Sequence, residues 1–258
     1  MKIIAVYNIK GGVGKTSTAV NLAYLSAARG RRTLLWDLDA QGAATFILRV
    51  RPRVKGGGRA LIKARTPLDA AIKGTDFDGL DLLPADFTYR HLDLLLDAQK
   101  KPTRQLARLL RSLTTQYDDV YLDCPPSMSL LSENVLRAAD TVLVPLIPTT
   151  LSVRTMDQLT EFVDDLAGSR PRVLGFFSMV DRRKRLHREV VDTLPTQRKD
   201  IAATTIPALS IIEQMAARRE PVPYFASRSI ASRRYLELWQ EAFSLSGSRS
   251  ADIRRRID

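Results

Sequence analysis

At 258 residues with 45% apolar content, the chain can bury the core of one large α/β domain or two small ones. Cys124 is the only cysteine, which excludes an internal disulfide framework and a cysteine pair for an iron–sulfur cluster and suits a reducing cytoplasm. Forty basic residues against twenty-eight acidic ones, a net charge of +12, point to a polyanionic partner: nucleic acid first, an anionic membrane surface second, with a basic surface kept for solubility as the plain alternative.

No run of eighteen apolar residues is present, so no membrane span is expected, and the chain opens directly on a strand pattern, so no signal peptide is expected ahead of it. Ile3 to Tyr7 reads as a buried strand. It runs through Asn8 into Lys10-Gly11-Gly12-Val13-Gly14-Lys15-Thr16-Ser17, and then Ala19, Leu22, Ala23 and Leu25 fall on one helical face. Strand, glycine loop and helix start, in that order, are the context of a phosphate-binding loop. The glycines let the backbone curl until its N–H groups converge, and the start of the helix adds its positive end. Lys15 brings a point charge to the outer phosphates, and the Thr16 hydroxyl is placed to ligate Mg²⁺.

Arg32 to Trp36 predicts a second strand, with Asp37 and Asp39 aimed to one side at its carboxyl end. In a parallel α/β sheet that end is where ligands bind. Arg49 to Arg65 is basic, with three consecutive glycines, and reads as a mobile surface loop touching DNA, touching a partner or simply solvated. A short helix over 67–73 and a strand over 80–84 follow. Helical apolar spacing over 87–97 and 103–113 predicts two covering helices separated by Pro102. A buried strand ends at Asp123, whose carboxylate would hold the Mg²⁺ hydration shell next to Thr16. Cys124 reads as a small buried spacer. Further strands are expected over 141–148, 173–180 and 201–207, and helices over 150–166 and 229–243.

The densest basic cluster, Arg182, Arg183, Lys184, Arg185 and Arg188, follows the strand at 173–180. At a helix start it would crowd like charges unless phosphates neutralised them, and each such contact displaces counterions, giving salt-sensitive, sequence-tolerant binding. A solvated charged face is the other reading. Arg233 and Arg234 add to the basic surface, and 245–258 is a Ser/Gly/Arg-rich tail expected to be disordered.

The phosphate loop departs from GxxxxGK[ST]: Ile9 stands where glycine is usual, and a second lysine, Lys10, precedes the Gly-Gly pair. KGGVGKT resembles the deviant Walker A motif. DLDAQG over 37–42 resembles DxDPQG with Ala40 in place of proline, and DCPP over 123–126 is similar to a Walker B element in its DxPP form. With the Ile206-Pro207 turn they occur in the order found in the ParA/Soj branch of the ParA/MinD ATPases, in the short form without an N-terminal helix-turn-helix. Alternating strands and helices already predict a mainly parallel sheet with helices on both faces. The resemblance makes it a single-domain P-loop NTPase fold over 1–244.

That resemblance implies ATP and Mg²⁺, and hydrolysis with low intrinsic turnover. Lys10 would reach the nucleotide of the other subunit, Lys15 the phosphates of its own. Asp39 would orient the attacking water, with Asp37 supporting a metal shell that also includes Asp39, Asp123 and Thr16. Met179 and Pro207, with Ser178, would wall the adenine pocket. The implied partners are a second copy in the ATP state, non-specific double-stranded DNA, and a ParB-like or other adaptor that stimulates hydrolysis and so positions a cargo. The implied location is cytoplasmic and nucleoid-associated. The family's DNA-binding arginines lie on the side of the 182–188 cluster. Ile211 replaces one of them, leaving Arg218 and Arg219 as substitutes, and Ser152-Val153-Arg154-Thr155 replaces an acidic ALEG-like turn. A MinD-like membrane-cycling ATPase would share this core but needs a lipid-binding tail. The tail here has too few large apolar residues for one, so no stable membrane association is expected.

Overall fold

The computed structural model describes residues 1–166 and 170–244; the basic tail over 245–258 lies outside the described residues. In chain order the strands are β1 (Lys2–Val6), β2 (Thr33–Asp37), β3 (Lys73–Gly74), β4 (Leu80–Leu83), β5 (Asp119–Asp123), β6 (Thr141–Leu146), β7 (Arg172–Val180) and β8 (Ile201–Pro207). They form one sheet in the order β3-β4-β2-β5-β1-β6-β7-β8. Every pairing is parallel except that of the two-residue β3 with β4.

The inner strands read as continuous apolar runs because both faces are covered. Ala5, Leu34, Trp36, Val120 and Leu122 point into one core, while Ile4, Val6, Leu35 and Tyr121 point into the other. The connecting helices are α1 (Lys15–Ala27), α2 (Ala43–Ile47), α3 (Gly57–Ile62), α4 (Leu68–Ala71), α5 (Leu92–Asp97), α6 (Gln105–Leu110), α7 (Leu130–Ala138), α8 (Thr150–Asp165), α9 (Arg185–Gln197), α10 (Ser210–Arg218), α11 (Val222–Phe225) and α12 (Ile230–Ser244). α1 and α12 bury Leu22, Leu25, Tyr235 and Leu238 in the second core; α6, α7 and α8 bury Leu106, Val135 and Met156 in the first.

The parallel register carries the functional consequence. Val6 and Asp37, the last residues of β1 and β2, both stand opposite Asp123, the last residue of β5. Three adjacent strands thus stop on one line, and the chain leaves each of them into a motif loop.

Two expectations need correction. The 49–65 segment is not a mobile loop. Val54, Leu61 and Ile62 are buried, and α3 packs on the turn at Phe87–His91. Its glycines serve close approach rather than flexibility: a Cβ on Gly57 would lie 2.6 Å from the Thr88 hydroxyl, and Gly57 also has a φ of +62°. The Asp86 carboxylate ties the segment down, accepting the Val54 N–H at 2.9 Å and the Thr88 hydroxyl at 2.6 Å. Second, the two covering helices are shorter than their apolar spacing suggests. Each is part 3-10 turn, at Phe87–His91, Pro102–Arg104 and Arg111–Leu113. Leucine spacing alone does not separate i+3 from i+4 hydrogen bonding over so few residues.

Candidate functional site

β1 delivers the chain to Asn8, whose side chain bridges two elements. Its Oδ1 accepts the Lys10 N–H at 2.9 Å and its Nδ2 donates to the Pro145 carbonyl on β6 at 2.7 Å. The loop then turns at Gly12 and Gly14, with φ of +69° and +90°. A side chain at Gly14 would also meet the Ser178 hydroxyl at 3.0 Å. Gly14 is the N-cap of α1 and has no side chain to cap it, so the first N–H groups of the helix are left for a ligand.

Lys15 is buried, and its ammonium folds back to donate to the Lys10 carbonyl at 2.8 Å. Burial lowers its pKa, opposed chiefly by the charge of Asp123. The Lys10 ammonium has no hydrogen-bond or ion-pair partner among the described residues.

Behind the loop stand the three predicted carboxylates, in different environments. Asp37 is fully buried, and one of its oxygens accepts the Thr45 N–H at 2.8 Å and the Thr45 hydroxyl at 2.7 Å. Its other oxygen accepts the Asp39 N–H at 3.3 Å. Burial raises its pKa to about 6 in spite of these donors. Asp39 is half-exposed and accepts the Gln41 N–H at 3.0 Å, which shapes the turn before α2. Asp123 is fully buried, and neither oxygen accepts a hydrogen bond of ordinary geometry. Its pKa lies well above the usual carboxylate range, through burial first and the Asp37 carboxylate second, although the nearby Thr16 hydroxyl and Lys15 favour the charged form.

A buried carboxylate with no donor in ordinary hydrogen-bond geometry, and with a threonine hydroxyl and a lysine nearby, fits a hydrated divalent cation. Magnesium binds through one or two protein oxygens, waters and substrate phosphates rather than an all-protein cage. Consistent with that chemistry, no cluster of three or more His, Cys, Asp or Glu is arranged as a metal cage among the described residues. Pro126 of the DCPP turn lies against the loop, 3.9 Å from where a Gly11 Cβ would stand.

Met179 and Pro207, with Ser178, line a cavity of about 250 Å³ together with Gly12, Gly14 and Ser17. Met179, near the end of β7, holds a φ of +54°, and its side chain is partly exposed. The cavity also takes Leu209, Ile212 and Glu213 from α10 and its approach, and Tyr235 from α12, which sequence reasoning missed. No spacing rule ties α10 to the first loop; the β7–β8 crossover brings it there. Thr45, which fixes Asp37, was likewise invisible as a partner before the turn at Gly42 was known.

The predicted DNA-binding residues sit on three elements. Arg182, Arg183, Lys184, Arg185 and Arg188 form an exposed corner between β7 and α9, held by the Asp181 N–H bonded to buried His187 at 3.1 Å. Several already have acidic partners: Arg182 with Asp192 at 3.5 Å, Arg183 with Asp181 at 3.0 Å, Arg185 with Glu189 at 2.6 Å. Arg218 and Arg219 end α10, stacked on Phe225 and Phe46. Arg233 and Arg234 are exposed on α12, Arg234 paired with Glu237 at 2.7 Å.

Residues 1–173 match a family described as an AAA domain. The chromosome partitioning protein ParA of Caulobacter vibrioides is 31% identical over 260 residues, covering 97% of each chain. The sporulation initiation inhibitor protein Soj of Bacillus subtilis is 30% identical over 246 residues, covering 93% of this chain and 97% of its own. The chain belongs to the ParA/Soj branch of the ParA/MinD ATPases. The fold of this branch agrees with solved structures. An ATP complex of a McdA variant from Cyanothece has a TM-score of 0.84 at 19% identity, covering 95% of this chain and 96% of its own. MinD of Pyrococcus horikoshii, complexed with Mg-ADP, has a TM-score of 0.76 at 21% identity, covering 95% and 97%. Among the described residues no helix is long and apolar enough to cross a membrane.

Proposed function

We propose that the chain is an ATP-dependent dimerising ATPase that binds duplex DNA without sequence preference and positions a cargo. The observation that carries this reading is Asp123: a fully buried carboxylate, short of donors, directly behind the uncapped start of α1 and beside Thr16. That arrangement suits a metal–triphosphate far better than the bare loop suits anything else. The names of the relatives support positioning as the task, and the ATP and Mg-ADP complexes of McdA and MinD support the nucleotide and metal.

Bound magnesium supplies charge neutralisation at the phosphate oxygens. The chain's own residues do the rest. The loop amides of Gly11 to Ser17 and the Lys15 ammonium hold the phosphates. Thr16 and Asp123 hold the metal shell, and Asp37, pinned by Thr45, keeps the adjacent strand end in place. Asp39 orients the attacking water from its half-exposed turn. Lys10, with no side-chain partner among the described residues, crosses to the nucleotide of a second copy, so that pairing depends on the terminal phosphate. Met179 and Pro207 wall the base. Turnover is slow without an adaptor, because a switch needs a lasting ATP state. Only the paired form presents its basic surface to DNA.

The test is retention of the protein on a random-sequence duplex with ADP, with non-hydrolysable ATP and without nucleotide. Retention with the ATP analogue alone is expected. Equal retention in all three states would remove the switch.

A further inference from the structure

The DNA surface expected from sequence lies on α9, α10 and α12, yet most of the charge lies elsewhere. Residues 49–111 hold fourteen of the forty basic residues and only seven of the twenty-eight acidic ones, more than half of the excess of twelve. Two clefts collect them. One, about 660 Å³, is lined by Arg49, Arg51, Arg53, Lys55 and Lys73, but Arg49 there is held by Glu220 at 2.8 Å and Asp76 at 3.5 Å. The other, about 570 Å³, is lined by Lys100, Lys101, Arg104, Arg108 and Arg111 together with two glutamines. None of these five has a carboxylate partner among the described residues, and only Arg108 gives a hydrogen bond from its side chain, to the Ile62 carbonyl at 3.3 Å.

The five come from one amphipathic unit. Leu106, Leu109, Leu110 and Leu113 are buried, and Arg104, Arg108 and Arg111 stand exposed on the opposite side. Seven residues of mixed α and 3-10 turn rise about 10–14 Å. A duplex strand carries one phosphate per about 3.4 Å of axis, so the stripe spans about three or four phosphates. Like charges gathered in one cleft repel unless an anion joins them. Arg183 and Arg185 must each break an ion pair before they can bind a phosphate; the residues of this cleft break none and release counterions outright.

We infer that the cleft on the outer side of α6 is a second binding surface for the phosphate backbone of duplex DNA, separate from the α9 corner. This rests on the DNA-binding reading above. The experiment compares wild type with Lys100→Gln/Lys101→Gln/Arg104→Gln/Arg111→Gln, binding a random-sequence duplex with magnesium and non-hydrolysable ATP across a salt series. Arg108 is kept because it holds Ile62. The expected result is a logarithmic salt slope shallower by about 0.9 for each phosphate the variant no longer neutralises, about 3–4 in all, with an unchanged melting temperature. If the quadruple variant fails to fold, Lys100→Gln/Lys101→Gln, both exposed, should lower the slope by about 2. An unchanged slope in a wild type that binds DNA overturns this surface alone. A wild type that binds no duplex in any nucleotide state overturns both readings. Loss of binding to anionic phosphatidylserine vesicles with an unchanged DNA slope assigns the cleft to a membrane and likewise overturns it.

Discussion

Asp123 is a fully buried carboxylate whose oxygens accept no hydrogen bond of ordinary geometry. Its pKa is held high by burial and by Asp37, so ionising it without a cation is costly. Asp123→Asn should therefore leave the melting temperature of the nucleotide-free protein unchanged or higher. The same variant should weaken magnesium-dependent nucleotide binding by at least about tenfold, measured by titration with and without the metal. Unchanged metal dependence would take Asp123 out of the site. His187 allows a pH prediction at the same scale. Its neutral ring accepts the Asp181 N–H, and burial, then the Lys184 charge, lowers its pKa below the ordinary value. A lowered folded pKa means that the stability is present above the unfolded value and is lost as pH falls through the folded one. His187→Gln keeps an acceptor but cannot titrate. Its melting temperature should fall less than that of wild type between neutral pH and mildly acidic pH, and an equal fall would contradict the assignment.

At the scale of elements, the 49–65 segment separates the two readings of its glycines. If it were a mobile loop, Gly57→Ala would be neutral or slightly stabilising through the unfolded chain. Packed as it is, the new Cβ would strike the Thr88 hydroxyl in a left-handed backbone. A loss of about 1–3 kcal/mol is expected by denaturant unfolding. Much of the sheet was legible beforehand, because a buried parallel strand is an apolar run that stops at a motif. β1, β2 and β5 each end where a loop signature begins, and Asp37 and Asp123 could be placed at the same sheet edge. What stayed hidden depends on distant pairing. The Gly-rich segment looked mobile because Val54, Leu61 and Ile62 are too few to give a period, and their partners at Tyr89 and Leu92 lie some thirty residues on. α7 and α10 carry no motif of their own. The leucines of α6 account for the helix by covering the core, and nothing in their spacing marks the arginines opposite them as a surface of their own.

For the whole molecule, the carboxyl ends of β1, β2 and β5 bring the glycine loop and its two lysines to the same place as Asp37, Asp39 and Asp123. Lys15 is turned back onto its own loop, and the Lys10 ammonium has no partner among the described residues. Under the proposed function two chains, rather than one, are the working unit, and DNA retention depends on their pairing. Asp39 sits in a half-exposed turn shaped by its own backbone, which leaves it open to the outside contact that the proposed adaptor would make. The most direct measurement is sedimentation velocity of wild type and Lys10→Ala with magnesium and non-hydrolysable ATP, alongside nucleotide binding to each. If Lys10 acts across the pair, wild type forms a dimer and the variant stays a nucleotide-bound monomer. A variant that dimerises as fully as wild type, or a wild type that stays monomeric at every concentration with nucleotide bound, would contradict it.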